Sequence, residues 1–339
     1  MIGWYVHDHG WGHVTRMQAI RAHLHGEVTV FSTLPEPASL AAGTTWVQLP
    51  SDAHPVVGTD GIRRDARELG DVTAGGALHW APVRHPGHQE RLAVIAEWIA
   101  RKPVAAFVVD VSVEVTILTR LLGVPTVVLA QPGERTDAPH RLGYDLADRI
   151  LTPWAEGTIE AVELADRADR VHHVGAVSRY DGRARDAGAA PDLDERRVLF
   201  LSRTLDAPRL QRAIALLEAA GWIVETAGAG DDDRVDDVWP LLCRATVVVS
   251  AAGQNGIADL AAADARAVVI AQERPFGEQD DTARVLAAHG YALTAAEDVS
   301  PEELVELVHR AASTSPRWDG WRVAGAAARA AAVIEEVAA

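Results

Sequence analysis

The first side chain placed for acid–base work is His13, in the stretch Gly10-Trp11-Gly12-His13-Val14-Thr15-Arg16. Two glycines let the backbone turn sharply and let a ligand come close. A helix is expected to start at this turn, and its positive end favours the neutral form of a histidine there. Neutral imidazole is what a general base needs near neutral pH. Arg16, one turn on, is placed to pair with an anionic group. The plainer reading is a polar cap on a buried helix. Asp110 ends a later apolar strand and is a candidate to fix the tautomer of His13, though Asp110 and Ser112 also suit ordinary helix caps.

The second stretch is Ser250 to Ala283. A short apolar strand stops at Ser250, a turn runs through Gly253-Gln254-Asn255-Gly256, and a helix follows. Free N–H groups and the positive helix end then face one point, which makes an anion site. Gln254 and Asn255 add side-chain donors. Asp259 is expected opposite the apolar face formed by Ile257, Leu260 and Ala261, free to meet the hydroxyls of a ribose. A solvent-facing Asp on an ordinary strand–turn–helix is the alternative. Ser202 and Arg203 form another strand-end loop, and Arg203 suits a bidentate grip on a diphosphate. Arg274-Pro275-Phe276-Gly277 brings Glu278 and Gln279 to the start of a further helix.

Metal chemistry has less support. His7, Asp8, His9 and His13 lie close in sequence, but their spacing finds no matching partners elsewhere. Asp231-Asp232-Asp233 reads as a solvated helix start. One cysteine, Cys243, excludes an internal disulfide and a cysteine-cluster metal site. No metal and no cofactor are expected.

Strands alternating with helices must position these groups, which means parallel sheets with helices on both faces. The expected strands are Ile2–Val6, 27–31, 45–49, 105–109, 125–129, 150–151 and 171–174, then 198–201, 222–226, 245–249, 267–271 and 291–293. Ligands of such sheets bind at the carboxyl ends of the strands, where His13 and Asp110 fall. At 339 residues the chain exceeds one comfortable core. The division expected is residues 1–182, a linker at 183–196, a second unit at 197–317 and a final helix at 318–339. The long polar stretch at 50–85 marks either a functional or a mobile loop.

The net charge of −16, from 32 basic and 48 acidic residues, disfavours nucleic acid as a partner. An anionic ligand must then be held by helix ends and single cations. Peripheral membrane contact through a small patch is compatible with the composition. No run is long enough to span a membrane and no signal-peptide pattern opens the chain, so a cytoplasmic location is expected.

These two stretches together resemble the GT-B glycosyltransferases, most closely the branch containing the N-acetylglucosaminyltransferase of lipid-linked peptidoglycan synthesis. Gly10-x-Gly12-His13-x-x-Arg16 matches the N-terminal turn that carries the proposed base. Ser250 to Ala283 matches the donor motif in order and spacing over more than thirty residues. The resemblance implies two Rossmann-like doubly wound domains facing across a cleft, with the last helix crossing back to the first. It implies Gly253, Gln254 and Asn255 at the diphosphate, Asp259 at the ribose, and Glu278 and Gln279 at the sugar hydroxyls. A nucleotide-diphosphate sugar, most often UDP-linked, would be co-substrate, and transfer to a hydroxyl would invert the anomeric centre without metal. The acceptor class stays open between lipid carrier, glycan and small metabolite. A nucleotide-sugar hydrolase with His13 activating water is the nearest alternative, and a silent nucleotide-sugar-binding protein is another. Two departures stand out: the family usually has Glu at the position of Asp259, and a Gly-rich loop where this chain has Ser202-Arg203-Thr204.

Overall fold

The computed structural model describes every residue except 9, 59, 185–194, 202–203, 229–234 and 236. Ser202, Arg203, Asp231 to Asp233 and most of the expected linker therefore lie outside the described residues. The apolar run Ile2–Val6 forms β1, and the glycine turn after it leads into α1 (Gly12–Arg21). Then come β2 (Val28–Ser32), β3 (Thr44–Gln48) and, in the long polar stretch, a small hairpin of β4 (Val56–Val57) and β5 (Arg63–Arg64). Helix α2 (Pro86–Arg101) precedes β6 (Ala106–Asp110), followed by α3 (Val113–Leu121), β7 (Thr126–Leu129), α4 (Ala138–Leu146), β8 (Arg149–Thr152) and β9 (Val171–His173).

The seven longer strands form one parallel sheet in the order β3-β2-β1-β6-β7-β8-β9. Strands β1, β2, β6 and β7 are buried along their whole length, as a sheet covered on both faces requires. Alternate residues divide between the two faces. Trp4, Val6 and Val108 pack with Met17 and Ile20 of α1. Tyr5, Phe107 and Val109 pack with Ile95 of α2, Val115 of α3 and Tyr144 of α4.

The pattern restarts with β10 (Arg197–Leu201), α5 (Ala207–Ala219), β11 (Ile223–Ala227), α6 (Trp239–Arg244), β12 (Val247–Ala251), α7 (Gln254–Ala262) and β13 (Ala267–Ile270). It closes with α8 (Glu278–His289), β14 (Leu293–Ala295) and α9 (Pro301–Ala312). These strands make a second parallel sheet, β11-β10-β12-β13-β14.

The end of the chain joins the two. Trp318 donates its indole N–H to the Ala265 carbonyl at 2.8 Å and stacks on Tyr291, anchoring this segment to the second sheet. The last helix, α10, spans Ala326–Ala338 and not the whole of 318–339. Arg322 and Gly325 hold left-handed backbone, and a helix cannot propagate through either. Beyond that break Ala327, Ala331 and Ile334 pack into the cluster that holds Met17 and Trp4, on the first sheet.

Candidate active site

The carboxyl ends of β1 and β6 bring His13 and Asp110 together. Asp110 is fully buried, and His13 Nδ1 lies 3.1 Å from its Oδ1. A carboxylate only accepts, so the tautomer with its proton on Nδ1 pairs with Asp110 and has the Nε2 lone pair for a substrate. The cap reading of Asp110 does not hold. Ser112 caps α3 by accepting from the Val115 N–H at 3.2 Å.

Arg16 pairs with an anionic group, as its placement suggests. Its guanidinium is buried and donates to Asp110 Oδ1 at 2.6 Å, to Gln254 Oε1 at 3.0 Å, and lies 3.1 Å from His13 Nδ1. The anionic group it meets within the protein is Asp110. Burial alone would raise the Asp110 carboxyl, but Arg16 and then His13 outweigh it and hold it at about 2. Asp110 is thus an anion throughout the working pH range.

The second sheet supplies the facing wall. Gly253 is the N-cap of α7, offers no side-chain cap, and has open space around its Cα. Gln254 meets Arg16, and Asn255 stands against Gly12, where a Cβ would come 2.5 Å from its Nδ2. A side chain at Gly12 would have to displace the Asn255 amide, so glycine here lets the two turns approach. The two stretches singled out in the sequence lie against each other.

Three further expected residues are committed to the protein itself. Ser250 is buried and donates to the Ala251 carbonyl at 3.2 Å. Gln279 is buried, and its Oε1 accepts from the N–H groups of Ala252 at 3.2 Å and Gln272 at 3.1 Å, tying the ends of β12 and β13 together. Asp259 was expected free and is only 6% exposed. Ser178 donates to its Oδ1 at 2.6 Å and Arg179 Nε lies 3.3 Å from its Oδ2. The helical wheel placed Asp259 off the apolar face correctly, but that side packs against residues 178–179 instead of solvent.

Burial raises the Asp259 carboxyl from 3.8 to about 6, with Ser178 and Arg179 opposing it. Between those values the unfolded chain ionises while the folded chain holds its proton, so stability falls as pH rises through this window. Above about 6 the whole penalty is present, about 3 kcal/mol at 1.36 kcal/mol per unit. Asp259→Asn removes the titration. Its stability relative to the parent should improve by about 1–3 kcal/mol between pH 4.5 and 7.5. Urea melts at the two values check this, and a constant difference contradicts it.

Sequence reading missed the residues that dock the Glu278 loop. Arg135, buried, lies over the Phe276 ring at 4.8 Å and reaches Glu278 Oε2 at 3.4 Å. Glu134 donates its N–H to the Phe276 carbonyl at 2.8 Å. Gly133 sits at φ +96°, and a Cβ there would fall on that same carbonyl oxygen. Gly133→Ala is expected to cost about 1–3 kcal/mol through strain and overpacking, measured by chemical denaturation. A loss within 0.5 kcal/mol contradicts the docking described.

Beside this loop, His79, Asp137 and His140 bring their ligand atoms within 4.8 Å of one another, the one such group among the described residues. Its proton positions argue against a cation. Arg135 Nη1, always a donor, lies 3.1 Å from His140 Nε2, which puts the ring proton on Nδ1, 2.7 Å from Asp137 Oδ1. His79 Nε2 is 3.0 Å from Asp137 Oδ2. Burial, then His79 and Arg135, lower His140 to about 4, so it is neutral at pH 7. The group is a hydrogen-bonded chain from Glu278 to His79 within the long polar stretch. A sequence signal existed: Asp137 before Ala138-Pro139 is a helix N-cap with Pro in the first turn, and it does cap α4.

Two parallel sheets facing each other, with a histidine–aspartate pair on one and an uncapped helix end on the other, define the GT-B architecture. Solved structures of that fold match nearly the whole chain. A glycotransferase of kitacinnamycin superposes with a TM-score of 0.67 at 16% identity, covering 99% of this chain and 98% of that one. The spinosyn rhamnosyltransferase SpnG complexed with thymidine diphosphate gives 0.63 at 19%, covering 99% and 96%. MurG of Acinetobacter baumannii gives 0.62 at 16%, covering 99% of both. Residues 235–333 match the glycosyltransferase family 28 C-terminal domain. The chain therefore has the GT-B fold, and its C-terminal part is similar to the family 28 domain. No curated protein matches it by sequence. Among the described residues no helix is long and apolar enough to cross a membrane.

Proposed function

We propose that this chain transfers a sugar from a nucleoside diphosphate donor to an acceptor hydroxyl, with inversion and without a bound metal. The observation that carries this reading is the His13–Asp110 pair set against the N-terminus of α7 through the Arg16–Gln254 hydrogen bond. The α7 N-terminus at Gly253 to Asn255 holds the diphosphate, and its N–H groups take up the charge that develops on the leaving group. Glu278, partly exposed at the start of α8 and steadied by Arg135, is the acceptor for sugar hydroxyls. His13 Nε2 removes the proton of the attacking hydroxyl, and Asp110 stabilises the imidazolium that forms. Helix-end charge stabilisation replaces what a metal would supply, which supports metal independence.

The uridine series expected from the resemblance and the thymidine series, present in the SpnG neighbour, are the first to screen. Thermal shift against nucleoside diphosphates, followed by incubation of the matching sugar nucleotide in EDTA, tests the reading. Transfer to a hydroxyl acceptor undiminished by EDTA supports it. Release of free sugar at the same rate with and without acceptors would make the chain a hydrolase, and no nucleotide binding would end the reading.

A further inference from the structure

Recognition of a ribose by a carboxylate depends on an accessible acceptor for its hydroxyls. The reading above puts the nucleotide at the start of α7, and Asp259, six residues past Gly253, is the carboxylate on that helix. Its reach is one methylene shorter than that of a glutamate. Its side chain is only 8% exposed, with Oδ1 taken by Ser178 and Oδ2 facing Arg179. Ser178 is itself fixed, because its Oγ accepts from the Tyr180 N–H at 3.0 Å and so directs its one proton to Asp259. The neighbouring Tyr180 is anchored in turn. Its hydroxyl accepts from the Val238 N–H at 3.1 Å, and its ring carries the Arg179 guanidinium at 4.8 Å. The carboxylate is thus held inside a three-part clamp that joins residues 178–180 to α6 and α7.

From this clamp we infer that the nucleotide pocket does not read the ribose 2′-hydroxyl, so that 2′-deoxyribonucleoside diphosphate sugars serve as donors as well as ribonucleoside ones. The inference rests on the donor reading above. A site built to bond a substrate hydroxyl rejects the analogue lacking it by large factors, up to about 10⁴–10⁵-fold. Asp259, already engaged by Ser178 and Arg179, supplies no such rejection.

Titration calorimetry of the full chain with UDP and with 2′-deoxy-UDP isolates the single hydroxyl. Dissociation constants within about threefold of each other are expected, and the thymidine nucleotide should bind alongside them. Two variants release or extend the carboxylate: Ser178→Ala removes the proton that holds Asp259, and Asp259→Glu adds the missing methylene. Each should raise the preference for UDP over 2′-deoxy-UDP to about tenfold or more. A tenfold preference for UDP in the parent chain overturns the inference and leaves the donor reading standing. Failure of both nucleotides to bind overturns the donor reading beneath it.

Discussion

His13→Ala should lower the transfer rate by about 10²–10⁴-fold while leaving the nucleoside diphosphate dissociation constant within about twofold. The size follows from what the side chain does. In the proposed role Nδ1 pairs with Asp110 and Nε2 meets the attacking hydroxyl, and the side chain retains 17% exposure. Loss of a general base slows proton removal without touching the helix end that binds the diphosphate. Asp110→Asn should slow transfer too, since an amide that donates to Nδ1 would reverse the tautomer and take the lone pair from Nε2. Steady-state rates with calorimetry on the same samples separate the two effects. Unchanged turnover in the His13 variant would remove it from the chemistry, and a parallel loss of nucleotide affinity would assign it to binding.

Arg16→Met should destabilise the protein by about 3–5 kcal/mol at pH 7, the cost of leaving a buried charge without its partner. Asp110 is fully buried, and Arg16 provides the largest force holding it ionised. Without the guanidinium, burial dominates and the carboxyl moves upward. A group whose folded-state value rises loses stability as pH increases through the window between its unfolded and folded values. The variant should therefore recover part of its deficit on acidification, whereas the parent, with Asp110 held near 2, should keep this contribution down to about pH 4. Activity should fall as well, because Arg16 also bridges to Gln254 on the facing wall. Urea unfolding at pH 5 and pH 7.5 measures both parts, and a loss below about 1 kcal/mol at each contradicts this view of the pair.

Local signals in the sequence were enough to place His13, Asp110 and Gly253 at strand ends, because apolar runs and glycine turns report backbone directly. The same signals missed what depends on residues far apart. Asp259 lies off the apolar stripe of α7, which a helical wheel shows, but its partner Ser178 is 81 positions away. Arg16 carries no mark that its charge is spent on Asp110, 94 positions on. His79, Asp137 and His140 were passed over since their meeting depends on the path of an irregular segment. The last helix starts at Ala326 and not at 318, because left-handed backbone at Arg322 interrupts it and arginine gives no local signal for that.

The most direct test of His13 as the base in a single displacement is the anomeric configuration of the product. With a donor of known anomer, proton NMR of the freshly formed glycoside reads the configuration from its anomeric coupling. Direct attack by a hydroxyl deprotonated at His13 Nε2 predicts the opposite configuration to the donor. A product with the donor's own configuration would contradict it.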